Sequence, residues 1–125
     1  MTWISVILGG AAGCAARHGV NLACARLAGS AVPMATAAVN LAGSLLIGAL
    51  AGLLAIGKLQ LSSNARTFVF VGVLGGFTTF SSFMLDTLTL AQSGREGTAL
   101  ANLAVQLAGG VACVWAGYHG ALALR

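Results

Sequence analysis

The densest polar groups in this chain are uncharged, and they stand inside long apolar stretches. Gly75-Gly-Phe-Thr-Thr-Phe-Ser-Ser-Phe83 gathers two adjacent glycines, four hydroxyls and three phenylalanines into nine residues. Asn40 has Ser44 one turn along on the same helical face, and Asn102 has Gln106 one turn along on another. A polar group in hydrocarbon is costly unless satisfied, so these residues mark the interior of an assembly. Two readings stay open for them: hydrogen bonds that tie helices together, or N–H and O–H donors facing an anion. In the glycine-threonine string the two glycines and two β-branched threonines lower helix propensity in mid-span. Carbonyls freed by a break there are tolerated only when buried or lining a cavity. Phe80 and Phe83, three apart, share one face of the helix that follows.

Catalysis finds no candidates. No span carries a paired carboxylate, a Ser-His-Asp set, a Cys/His cluster or a phosphate-binding loop, so the chain is read as no enzyme. Cys14, Cys24 and Cys113 lack metal-ligand spacing and read as small buried hydrophobes. His18 and His119 are isolated and read as interfacial. Asp86 is the one acid within a span, just over one turn beyond the serines; a partner such as Arg95 and a transport role are both open.

These residues need elements to hold them, and composition says which. Of 125 residues 58% are hydrophobic and 6% charged, with mean hydropathy +0.96; a soluble domain carries about 25% charged residues. The net charge of +4 is spread too thinly to form a basic face, which excludes nucleic acid as a partner and marks membrane edges instead. At about 20 apolar residues per span, the chain holds four helices, one domain over 1–125, in contact with lipid. The spans run from about Trp3 to Leu22, Met34 to Ile56, Thr67 to Leu90 and Ala99 to Leu122. A polar stretch around Arg26, Gly29 and Ser30 separates the first two, and Pro33 suits the first turn of the second. Gln60–Asn64 and Gln92–Gly97 form the other turns. Met1–Ala16 lacks a basic leader and the apolar run continues past it, so it reads as part of span one rather than a cleaved signal. Gly9/Gly13, Gly48/Gly52 and Gly72/Gly76 permit close helix contact.

Loop charge leaves the orientation undecided. One end holds Lys58, Arg66 and Arg125; the other holds Arg26 and Arg95, with Arg17 if it lies near the interface. Either weak cues select one orientation, or the chain inserts both ways and pairs with an inverted copy of itself, with a two-fold axis in the membrane plane.

Three segments in this order resemble a known family. Gly9-Gly-Ala-Ala-Gly-Cys-Ala-Ala-Arg17 is similar to its GG-x-x-G-x-x-x-R opening, Pro33–Asn40 to its P-x-G-T-L-x-x-N second helix, and Gly75–Phe83 to its GG-x-T-T-F-S-T-F hallmark. This is the CrcB/Fluc family of fluoride channels, and the likeness covers essentially the whole chain. The resemblance implies an all-α membrane protein of four transmembrane helices per subunit with the third helix broken, assembled as an antiparallel, dual-topology homodimer in the bacterial inner membrane. It implies passive export of fluoride and fluoride resistance, with two pathways per dimer. By matching positions, Phe80 and Phe83 become pore aromatics, Asn40 the pore amide and Arg17 a vestibule cation, with Thr79, Ser81 and Ser82 along the same path. Gly75 and Thr78 would give backbone carbonyls to a structural sodium ion that is not transported. The chain departs from the family pattern at Ala35 (glycine), Asp86 (glutamate), His18 (aromatic), and Gly110 and Val114 (hydroxyls).

Two other functions compete. A small multidrug-type transporter has the same length and topology but needs an acid buried in its first helix, where this chain has Arg17 and no acid. A non-transporting assembly subunit would use the glycines and Asn40 for packing alone.

Overall fold

A computed structural model describes residues 2–28 and 32–125, and among the described residues there are helices and turns but no strand. The order is α1 (Thr2–Ala28), α2 (Val32–Ala55), α3 (Ser63–Arg66), a π-wound stretch over Thr67–Leu74, α4 (Gly75–Phe77), α5 (Phe80–Gln92) and α6 (Glu96–Leu122). The last four cover the predicted third and fourth spans, while α3 makes helix of residues that were expected in and just after the preceding turn.

α1 runs six residues past its predicted end, so Arg26 belongs to its last turn and not to a loop. No glycine or proline stands between Val20 and Ala28 to stop the helix, and a cation suits its C-terminal end. Gly29 and Ser30, predicted as a polar connection, lie outside the described residues. Pro33 occupies the first turn of α2, where a missing N–H costs nothing. Gly57 (φ 73°) and Gly94 (φ 75°) make the left-handed turns after α2 and α5.

Among the described residues, three segments are long and apolar enough to cross a membrane: Pro33–Ala55, Ser63–Gln92 and Glu96–Leu122. α1 equals α6 in length at 27 residues, but Arg17 and His18 in its interior dilute its apolar character.

Two tight helix pairs build the fold. α2 lies against α6, and α1 lies against the π-wound stretch and α4. Glycines set both contacts. A Cβ on Gly48 would stand 2.2 Å from Val114 O, and one on Gly117 would stand 2.2 Å from Leu45 O. In the other pair a Cβ on Gly13 would meet Val73 O at 2.1 Å, while Gly9 faces the Cα of Gly72 and Gly76 faces the backbone of Gly10. Removing side chains lets backbones approach where lipid supplies no hydrophobic drive for helices to associate. α5 then crosses to α6, so the residues following α4 lie between α2 and α6.

Candidate functional site

The site forms where α4 stops. Thr78 (φ −81°, ψ 159°) and Thr79 (φ −153°, ψ 115°) are extended, and helix resumes at Phe80. Threonine hydroxyls can replace backbone partners, which makes a stop at this sequence affordable. Thr78 sends both its N–H and its hydroxyl to Leu74 O, each at 3.0 Å. Thr79 is the N-cap of α5: its Oγ1 accepts from Ser82 N at 3.3 Å and donates to Ser82 Oγ at 3.0 Å.

Asn40 on α2 takes the place of a backbone neighbour. Its Oδ1 accepts from Thr79 N at 2.8 Å and its Nδ2 donates to Thr79 O at 3.0 Å. In an unbroken helix the N–H groups of Thr79 and Ser82 would go to the carbonyls of Gly75 and Thr78. Here they go to Asn40 and to the Thr79 hydroxyl, which leaves both carbonyls without their helical donors.

A cavity of about 350 Å³ opens beside this stretch, lined in part by Asn40, Gly75, Thr78, Thr79, Phe80, Phe83 and Gln106. All but Gln106 were singled out as site residues from sequence. Phe80 and Phe83 meet edge to face, with centroids 5.7 Å apart and planes at 78°. Phe83 is buried and Phe80 is exposed at the cavity rim. A second cavity of about 580 Å³ continues along α6, lined by Gly110, Val114, Trp115 and His119 and sharing Ser44, Gln106 and Leu107 with the first.

Three predicted residues lie off this cavity wall. Ser82 stands behind Thr79, and Ser81 is exposed on α5. Arg17 lies on α1, its Nη2 donating to Cys14 Sγ at 3.4 Å, while the Cys14 thiol donates to Gly76 O at 3.5 Å. Arg17 is therefore tied to the α4 side of the break.

Sequence reasoning named Asn102 and Gln106 without placing them in the site. Gln106 Oε1 accepts from Asn40 Nδ2 at 2.7 Å, Gln106 Nε2 donates to Asn102 Oδ1 at 2.9 Å, and Asn102 Nδ2 donates to Thr87 Oγ1 at 2.8 Å. Their spacing signalled a shared face, but only the fold brings that face to Asn40. Thr36 and Thr87 were missed. The Thr36 hydroxyl donates to Asp86 Oδ2 at 2.6 Å, which gives Asp86 a partner on α2 where Arg95 was one candidate from sequence. The signal for Thr36 was its position one turn before Asn40. Among the described residues no cluster of His, Cys, Asp and Glu could hold a metal ion. The coordinating groups at the break are neutral oxygens and amides.

The family model described as CrcB-like protein, Camphor Resistance (CrcB), matches residues 4–118. A relative from Rhodospirillum rubrum named "Fluoride-specific ion channel FluC" is 40% identical over 126 residues, covering 100% of this chain and 98% of its own. Proteins of the same name from Paracoccus denitrificans (50% over 99 residues; 79% and 77% of the two chains) and Rhodopseudomonas palustris (41% over 124; 99% and 96%) are also similar. With a match running from the first helix almost to the end of the last, and relatives aligned over nearly their whole length, the chain belongs to the CrcB-like family.

Proposed function

We propose that this chain is a fluoride-selective channel through which cytoplasmic fluoride leaves the cell passively, conferring fluoride resistance. The observation that carries this reading is the cavity at the Thr78–Thr79 stretch, which assembles aromatic rings, hydroxyls and amides without a carboxylate on its wall, in a chain whose relatives are named fluoride-specific ion channels. A small anion leaving water must exchange its shell for donors. The positive edges of Phe80 and Phe83 suit that exchange, and their faces would repel the ion. Thr79 and Asn40 line the path, with Asn40 also holding the Thr79 peptide in place and Ser82 backing Thr79. Arg17 acts in the vestibule, where a fixed positive charge raises local anion concentration.

The working unit of the proposal is an antiparallel homodimer of four-span, dual-topology subunits in the bacterial inner membrane, with α1 as the remaining span. The donor set at the break fits a structural sodium ion. Gly75 and Thr78 carry carbonyls relieved of their helical donors, and two inverted copies would present four neutral oxygens, a set suited to a hard monovalent cation. A divalent ion would recruit carboxylates. When bound, sodium supplies a fixed positive charge that ties two broken helices together. A dimer melting temperature raised by sodium but not by choline supports this site, and equal melting in both salts overturns it.

The multidrug-type alternative lacks its acid in the first helix. The test of the channel is fluoride efflux from liposomes holding the purified chain alone. Fast fluoride efflux with little chloride efflux is expected; folded protein that passes no fluoride, or passes both ions equally, overturns the reading.

A further inference from the structure

Hydrogen counting along the amide chain singles out one donor. The Thr79 peptide has unambiguous polarity, so it decides which end of Asn40 is oxygen and which is nitrogen. Both Asn40 hydrogens are then spent, one on Thr79 O and one on Gln106 Oε1. That second bond orients Gln106 in turn, which sends its Nε2 to Asn102 Oδ1. Asn102 Nδ2 ends the chain on Thr87 Oγ1, whose own hydrogen goes to Phe83 O at 2.8 Å. The network thus runs in one direction from the Thr79 peptide to the Phe83 carbonyl, with backbone fixing both ends. Gln106 Nε2 keeps one hydrogen without a protein acceptor, on a residue only 7% exposed that borders both cavities.

Along the same wall, the next two turns of α6 bring Gly110 and Val114, which have no side-chain donor. The junction of the two cavities therefore has its remaining amide donor at Gln106.

We propose that Gln106 supplies the spare amide hydrogen that the anion meets where the cavities join, and that Asn102 and Thr87 are positioning residues that keep its nitrogen, not its oxygen, available there. This rests on the fluoride-channel reading and names a donor within it. Asn40 is then the clamp of the Thr79 peptide, and the donor role falls to its neighbour. A reversed Gln106 would set its carbonyl against Asn102 Oδ1 and its nitrogen against the Asn40 amide, losing two bonds and exposing an acceptor to an anion.

The deciding variant is Gln106→Glu. A protonated Glu can still accept from Asn40 and donate to Asn102, so the network survives while the spare hydrogen is gone; an ionised Glu repels the anion. Either form should cut fluoride flux by about tenfold or more, the factor expected for losing one hydrogen bond to a charged group, with the dimer intact on size exclusion. Asn102→Leu removes the tether and should cut flux similarly. Because Asn102 acts through Gln106, the double variant should conduct no worse than Gln106→Glu alone. In the wild-type chain with side-chain-labelled glutamine, added fluoride should shift one hydrogen of the Gln106 Nε2 pair, identified by its loss in Gln106→Glu. Wild-type flux in a folded Gln106→Glu variant overturns the donor role, and flux losses that multiply in the double variant overturn the positioning role. If the wild-type chain passes no fluoride, the channel reading fails separately: a fluoride-induced Gln106 shift would leave the donor standing, and its absence would overturn the donor too.

Discussion

At the residue scale, Phe80 and Phe83 have the same chemistry and different surroundings. Phe83 is 2% exposed and Phe80 is 68% exposed, so one substitution separates transport from packing. Phe80→Ile should change stability by no more than about 0.5 kcal/mol, as surface changes do. Phe83→Ile should cost about 1–2 kcal/mol, less than the truncation of a buried Phe to Ala. Both should lower fluoride flux sharply, because isoleucine has no positive ring edge to offer an anion. Liposome efflux beside thermal melting checks this. Phe80→Ile conducting normally would make that ring a packing group only.

At the element scale, the Thr78–Thr79 stretch is held from two sides. α2 contributes Asn40 to the Thr79 peptide, while α1 holds the helix leading into the stretch through glycine contacts. Gly13 and Gly19 stand on the same helix and make a matched pair. A Cβ on Gly13 would be 2.1 Å from Val73 O and 2.8 Å from Phe77 N, whereas one on Gly19 meets nothing within 4 Å. Gly13→Leu should force α1 off the third span and abolish recovery of monodisperse protein. Gly19→Ala should be neutral or should stabilise by up to about 1 kcal/mol through helix propensity. Size exclusion and thermal melting of the two variants decide the point. Monodisperse Gly13→Leu with wild-type melting would show that the α1 contact is dispensable.

For the whole molecule, charge at the two ends governs orientation in the membrane. Lys58 Nζ donates to Leu124 O, which places the second connection and the C-terminus at one end. That end carries Lys58, Arg66 and Arg125, against Arg26 and Arg95 at the other, with Arg17 one helix interior away. So even a balance is easily tipped, since orientation follows Lys and Arg in short connections. Two lysines added beside Asn64 should drive C-terminal reporter fusions from both sides of the membrane to one, and fluoride resistance should fall as inverted partners disappear. A wild-type chain reporting from one side only would sink the dual-topology dimer.

How much of this was legible beforehand follows from the range of the forces involved. The four helical segments and the small-residue contacts were written in local pattern. Hydropathy, Pro33, Gly57, Gly94 and the spaced glycines act within a turn or two of their own positions. Glycine pairs and threonine hydroxyls weaken a helix from within, and Thr78 and Thr79 have extended backbone. Boundaries were less legible: α1 continues through Arg26 because nothing local stops it before the described residues end. The site was readable as a set of residues and unreadable as a set of bonds. Asn40 lies 39 residues from Thr79 and 66 from Gln106, and no spacing rule relates groups that far apart. Sequence left Asn40 either a helix tie or an anion donor, and left Asp86 without a settled partner. Packing of α2 against α6 brought Asn40 to Gln106, and the path of the chain between them brought it Thr79. Thr36 reached Asp86 in the same way. A hydrogen bond needs its two atoms within about 3 Å, so the partner of each polar side chain was decided only when helices distant in sequence had closed on one another.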